Sequence, residues 1–130
     1  MQRMVVFMKR KRGMSHEDFV AHYENVHIPL NEKWIGPFMS GFIRIYPSDL
    51  YDFLRGAESD PAKTTPGCDY DAVSIYTIKD ETARDELIKV AQDPEFAREI
   101  SEDEEKFTDR GAGRYGLATF FQGKGLNGAS

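Results

Sequence analysis

A chain of 130 residues with a net charge of −5 fits a single domain that can bury about two thirds of its unfolded surface. The negative charge disfavours nucleic acid and anionic membranes as partners, because both attract clustered positive charge. A single cysteine, Cys68, rules out an intramolecular disulfide. Since the sequence also shows no bilayer-spanning apolar run and no signal-peptide cleavage site, we expect a cytoplasmic protein.

The first predicted elements are a buried strand at residues 4–9 and a helix capped by Ser15. Apolar residues at spacings of three and four carry this helix through Tyr23 to His27. Pro29 disfavours a helical conformation in the residue before it. The sequence therefore predicts that the helix ends near His27.

Residues 40–47 and 70–78 alternate in the manner of two further strands. One face of this pair is aliphatic. The other face mixes aromatic, polar and charged side chains, as expected of a ligand-lining surface, and carries Phe42, Arg44, Tyr46, Ala72, Ser74 and Tyr76.

Two more helices are predicted from their caps, which are Asp80 for the first and Asp93 followed by proline for the second. The second of these helices contains a run of four acidic residues at 102–105. Such a run predicts a solvated face.

The chain closes with a predicted fourth strand at residues 114–121. We assign residues 1–122 to the domain and residues 123–130 to a flexible tail. The segment 48–69 is longer than most connections and contains apolar residues. It is expected to form either a lid over a cavity or an arm of the dimer.

The predicted order β-α-β-β-α-α-β is that of an α+β, ferredoxin-like split βαβ fold with a four-stranded antiparallel sheet. Helices cover one face of such a sheet and leave the other bare. We expect a second copy to cover the bare face, sheet to sheet, and to enclose a cavity in each half. The aromatic residues expected on the bare face are Phe42, Tyr46, Tyr76, Tyr115 and Phe121.

Two blocks of the sequence resemble the EthD family. Residues 6–19 with 23–30, the latter reading Tyr-Glu-Asn-Val-His-Ile-Pro-Leu, resemble its amino-terminal signature, and residues 102–110 resemble its closing pattern. The similarity covers about residues 4–121. It implies a homodimeric α/β barrel of ferredoxin-like subunits, in a group that includes cofactor-independent enzymes for aromatic or polyketide-derived substrates. It leaves the reaction open.

His27 is the candidate general acid or base, because imidazole gains and loses a proton near neutral pH. Tyr23, one turn earlier, can assist it. The alternatives are that His27 binds carbonyls at a helix end and that Tyr23 is a core aromatic residue. His16 and His22 are expected to face solvent.

The mixed strand face supplies further candidates. Arg44 is costly to bury unpaired, so it either binds an anionic substrate or pairs with Glu24, Asp69 or Asp71, and internal pairing is favoured. The candidate substrate-binding residues are Arg44, Tyr46, Ser74, Tyr76, Trp34 and Phe42.

We interpret the chain as a cofactor-independent tailoring enzyme, either a dehydratase, a decarboxylase or a cyclase, acting on an aromatic or polyketide-like molecule. The alternatives are a cofactor-free oxygenase of phenols or anthrones, which Trp34, Asn25 and Asn31 keep open, and a non-catalytic binding dimer. We expect no metal and no cofactor. The glycine-rich run at 110–116 precedes a strand, whereas a phosphate-binding loop opens a helix.

Overall fold

The computed structural model describes residues 2–47, 70–121 and 123. Within these ranges, four strands form one antiparallel sheet in the order β2-β3-β1-β4. Their bounds are Arg3–Met8 (β1), Met39–Ile45 (β2), Ala72–Ile78 (β3) and Arg114–Ala118 (β4). The expected α+β class and sheet are thus confirmed. The predicted segment 48–69 and nearly all of the predicted tail lie outside the described residues.

From His16 to Phe38 the chain is continuously helical, with α1 at His16–His22, a π-helical turn at Tyr23–His27, α2 at Ile28–Ile35 and a 3₁₀ turn at Gly36–Phe38. Two helices, α3 at Glu81–Ala91 and α4 at Pro94–Phe107, connect β3 to β4. The three predicted caps are present: Ser15, Asp80 and Asp93 each accept a backbone N–H in the first helical turn. Within the described ranges, none of the helices is long and apolar enough to cross a bilayer.

The predicted end of the first helix at His27 is wrong. The chain passes Pro29 by widening into the π turn, in which the Ile28 N–H reaches back five residues to the Tyr23 carbonyl. Pro29 then occupies the first turn of α2, where its missing N–H costs little. The wider turn therefore lets the helix continue past the proline, and such turns are frequent at functional sites.

The predicted assignment of the bare sheet face is also wrong. The register places Met4, Val6 and Tyr76 on one face, and these residues line a cavity whose far wall comes from α3 and α4. The mixed face is thus the one that the helices cover. The face turned away from the cavity carries Val5, Phe7, Ile43, Ile45, Val73 and Ile75.

This inversion has a plain physical origin. Both faces of the sheet are apolar enough to be covered, so alternation along a strand cannot show which face meets the helices and which meets another subunit. Tyr76 is buried inside the subunit, and Tyr115 and Phe121 are highly exposed. A charge at Tyr76 is therefore expected to disturb the fold of the subunit before it disturbs any dimer.

The core lies between β1, β3, the π turn and the end of α4. It includes Phe19, Tyr23, Phe107, Met8, Ile28 and Ala72. The ring of Phe107 is 5.4 Å from that of Phe19 and 5.9 Å from that of Tyr23, measured between centroids. The same cluster that stabilises the fold therefore surrounds the π turn and fixes its position.

We predict that Phe19→Ala lowers the free energy of unfolding by about 3–5 kcal/mol, because Phe19 is completely buried and its loss leaves a cavity. Urea unfolding at one fixed protein concentration measures this change. The control is Ile88→Ala on α3, where the side chain is 47% exposed and the loss is expected to be much smaller. Equal losses in the two variants would contradict the assignment of the core.

Candidate active site

His27 lies in the π turn and is almost completely buried. Its Nδ1 donates a hydrogen bond of 2.8 Å to Oδ2 of Asp103, which belongs to α4. A ring nitrogen that donates to a carboxylate is fixed as the protonated one in the neutral imidazole, so Nε2 remains as the basic nitrogen. Since His27 lines the cavity, Nε2 is the atom available to a molecule bound there.

Asp103 is buried, with 4% of its surface exposed, so the prediction that the acidic run is a solvated face is wrong for this residue. Its other oxygen accepts a hydrogen bond of 3.0 Å from Nε2 of His22. His22 also stacks on Phe107, with ring centroids 4.5 Å apart, so it does not face solvent as expected. His16 binds Asp71 at 2.9 Å and is partly buried. Two imidazoles thus satisfy the buried carboxylate.

The position of Asp103 was visible in the sequence. Phe96, Ile100, Asp103 and Phe107 follow one another at spacings of four, three and four, which place them on one stripe of α4. A carboxylate on an otherwise apolar stripe indicates a buried side chain that pairs with a cation or an imidazole. The acidic neighbours concealed it, because Glu102 and Glu105 lie off this stripe and are exposed.

Tyr23 points into the same region from the π turn. Its hydroxyl shares a hydrogen bond of 2.6 Å with Oγ of Ser74, and both groups are buried. Burial raises the pKa of Tyr23 and raises that of Tyr76 well above its usual value. Both phenols therefore keep their protons at neutral pH.

The cavity beside His27 has a volume of about 300 Å³ and lies between the sheet and the helices. Its polar lining is concentrated in Tyr23, His27, Asn31, Tyr76, Glu104 and Tyr115. The rest of its described wall is apolar and comes from Met4, Val6, Met8, Ile35, Leu87, Ala91, Phe96 and Ile100. A few polar groups in an otherwise apolar hollow are typical of a small-molecule site.

Arg44 pairs internally, as the sequence favoured. Its Nε donates to Oε2 of Glu24 at 2.8 Å, its second nitrogen binds Oε1, and the Tyr46 hydroxyl donates to the same carboxylate. The Arg44 guanidinium holds the pKa of Glu24 below its usual value. Neither Arg44 nor Tyr46 is among the residues that line the cavity. This cluster ties β2 to the π turn.

The remaining candidates divide between the cavity and its surroundings. The Phe42 ring stacks on Tyr76 at 4.1 Å and lines a groove that also includes Asn31. Trp34 donates to Glu99 at 2.7 Å and packs edge-on against Phe96, so its indole N–H is directed to α4 and not to the described cavity. The structure thus brings Tyr23, His27 and Tyr76 together, with Ser74 behind Tyr23.

Burial is the main electrostatic influence on the site. It lowers the pKa of His27, and the nearby Asp103 only partly offsets this effect. Burial also raises the pKa of Glu104, which the sequence analysis did not select. At neutral pH His27 is therefore a neutral base. Among the described residues, no group of three His, Cys, Asp or Glu side chains is arranged to hold a metal ion.

Comparison with known proteins places this chain in a family. The EthD domain model matches residues 11–111, a range that includes the π turn, the cavity-lining helices and Asp103. The chain belongs to the EthD family. No curated protein matches its sequence.

Solved structures share the fold of this EthD protein. An EthD family protein from Bacillus halodurans is 15% identical, with a TM-score of 0.56, and the match covers 93% of this chain and 99% of that one. A dimeric ferredoxin-like protein of unknown function from Bacteroides fragilis is 9% identical, with a TM-score of 0.53 and coverages of 92% and 95%. One from Thermobifida fusca, also dimeric, is 12% identical, with a TM-score of 0.53 and coverages of 92% and 90%. At these identities the likeness shows the fold alone.

We predict that NMR titration of His27 gives a pKa below about 6.5, because burial disfavours the imidazolium. Asp103→Asn should lower this pKa further, since it removes the negative charge that favours protonation. Glu102→Gln, at an exposed position of the same helix, is the control and should leave the pKa unchanged. A pKa that rises in Asp103→Asn would show that the carboxylate does not act on His27 as the geometry indicates.

Proposed function

We propose that this EthD protein is a cofactor-independent tailoring enzyme that performs acid–base chemistry on an aromatic or polyketide-like small molecule. The observation that carries the proposal is the buried His27–Asp103 pair at the wall of a largely apolar cavity. A histidine that only satisfied a helix end would need neither a carboxylate partner nor a cavity. The single cysteine fits a reducing compartment such as the cytoplasm.

In the proposed mechanism, Nε2 of His27 removes a proton from a carbon atom next to a carbonyl group. Asp103 keeps the imidazole in the required tautomer and stabilises the imidazolium that forms. Tyr23 and Tyr76 line the same cavity, and we assign their hydroxyls as the hydrogen-bond donors to the enolate oxygen. Methionine, aromatic and aliphatic side chains in the wall suit a flat, apolar substrate.

Particular residues and measurements distinguish the alternative functions. Dehydration, decarboxylation and aldol cyclisation share an enolate and are all open to the His27 base. For the oxygenase, Asn31 lines the cavity, whereas Asn25 is exposed and Trp34 binds Glu99. Oxygen consumption during turnover would favour that alternative. Retention of a ligand without any conversion would favour a binding protein.

We predict that His27→Ala lowers turnover by at least about 100-fold, because it removes the base. A convenient probe is the aldol adduct of benzaldehyde and acetone, whose protons next to the ketone exchange with deuterium in D₂O under base catalysis. Exchange is followed by proton NMR. Tyr23→Phe should cost less, since it removes a hydroxyl and keeps the ring.

The control is His16→Ala, which removes a histidine that pairs with Asp71 away from the cavity. Its exchange rate should match that of the unaltered protein. Thermal melts of each variant separate a catalytic loss from unfolding. The mechanism is falsified if folded His27→Ala exchanges the probe as fast as the unaltered protein.

We further propose that the protein is a homodimer in which the open aliphatic face of the sheet meets its copy. Ile43 and Ile45 on this face are 53% and 46% exposed. Two related structures are described as dimeric, which supports this assembly. Covering an exposed apolar face of a sheet is a strong reason for association.

We predict that Ile43→Lys shifts the protein from dimer to monomer in sedimentation velocity at micromolar concentration, because an ammonium would be buried without a partner. The matched control is Ile88→Lys, a similarly exposed isoleucine on α3, which should remain dimeric. A dimer that survives Ile43→Lys and dissociates with Ile88→Lys would place the interface on the helical side instead.

A further inference from the structure

We propose that Glu104 is a second proton-transfer residue of the cavity and that it serves the elimination of water from a β-hydroxy ketone. This inference rests on the proposed function above, in which His27 is the base. It goes further by assigning the acid and by choosing dehydration among the reactions that share an enolate.

The geometry of α4 supports two separate tasks for two adjacent carboxylates. Successive residues of a helix point about 100° apart, so Asp103 and Glu104 face different surroundings. Asp103 is bound on both oxygens by His22 and His27. Glu104 instead lines the cavity, together with His27, Tyr76 and Tyr115. The carboxylate that supports the base and the carboxylate that meets the ligand are therefore neighbours in the chain.

The surroundings of Glu104 are those of an acid that keeps its proton longer than usual. Burial raises its pKa, Asp103 adds to this effect, and Arg110 opposes it. Arg110 lies 3.6 Å away, measured from its Nε to Oε1 of Glu104, and both side chains are partly exposed. The pKa of His27 moves in the opposite direction. These opposite shifts increase the fraction of molecules in which His27 is neutral while Glu104 is protonated.

The proposed step balances with these two groups. Nε2 of His27 takes the proton from the carbon between the carbonyl and the carbinol, and the electrons of that C–H bond form the C=C bond. The C–O bond of the β-hydroxyl breaks towards oxygen, and the carboxyl proton of Glu104 converts the leaving hydroxyl to water. An enone and water are released. The imidazolium then returns its proton, through water, to the Glu104 carboxylate.

The test uses the 130-residue chain and the aldol adduct of benzaldehyde and acetone, which reports both steps. Deuterium exchange next to the ketone requires the base alone, whereas formation of benzalacetone, followed by its ultraviolet absorbance, requires the acid as well. We expect Glu104→Gln to lower elimination by at least about 100-fold and to lower exchange far less, because exchange needs the His27 base and not the acid. His27→Ala should lose both activities.

Glu105→Gln is the matched control, because Glu105 is exposed, lies next to Glu104 and pairs with the same Arg110 at 3.7 Å. It should keep both activities. Elimination at the unaltered rate in Glu104→Gln would overturn the role of Glu104, as would an equal loss of exchange and elimination in a folded variant, which would indicate only a changed cavity.

The outcomes also separate this inference from the proposed function. If the unaltered protein accelerates exchange and forms no benzalacetone, the dehydration inference fails and His27 remains a base. If the protein accelerates neither step for this β-hydroxy ketone, the two proposals fail together.

Discussion

The burial of the Asp103 carboxylate is the constraint on which the rest of the site depends. An ionised carboxylate removed from water is costly unless hydrogen bonds replace its hydration. Two imidazoles do so here, with His22 on one oxygen and His27 on the other. Because one of these histidines lies in α1 and the other in the π turn, the carboxylate fixes α4 against both. The position of the basic nitrogen is thereby set by packing between elements far apart in the chain.

The π turn is the second part of this arrangement. A regular α-helix through residues 23–27 would require a carbonyl where the ring of Pro29 must lie. The wider turn relieves that clash and places Tyr23, Glu24 and His27 in three distinct settings. Tyr23 reaches Ser74 on β3, Glu24 holds Arg44 on β2, and His27 reaches α4. One irregular turn is thus anchored by three separate elements, so its side chains are held in place before a ligand arrives.

Much of the fold follows from local signals in the sequence. The caps at Ser15, Asp80 and Asp93, the strand alternation and the order of elements identify the sheet and its helices. His27 and Tyr23 were likewise selected from spacing and side-chain chemistry. The continuation of the helix past Pro29 was not predicted. The rule for proline concerns only the residue before it, whereas the π turn changes the backbone hydrogen bonding of five residues together. Which face of the sheet the helices cover was not predicted, because this depends on how the helices pack on the sheet and not on the alternation within a strand.

Asp103, the partner of His27, was missed because the acidic composition of its neighbours outweighed its position on the apolar stripe of α4. A run of four acidic residues indicates solvent when it is considered as composition. Considered by helical position, the same run contains one residue on the apolar stripe, one at the edge of the cavity and two facing water. At the edge of the cavity, burial raises the pKa of Glu104. A short acidic run on a helix that packs across a cavity can therefore contain a histidine partner, a cavity-lining acid and a solvated surface, distinguished only by rotation about the helix axis.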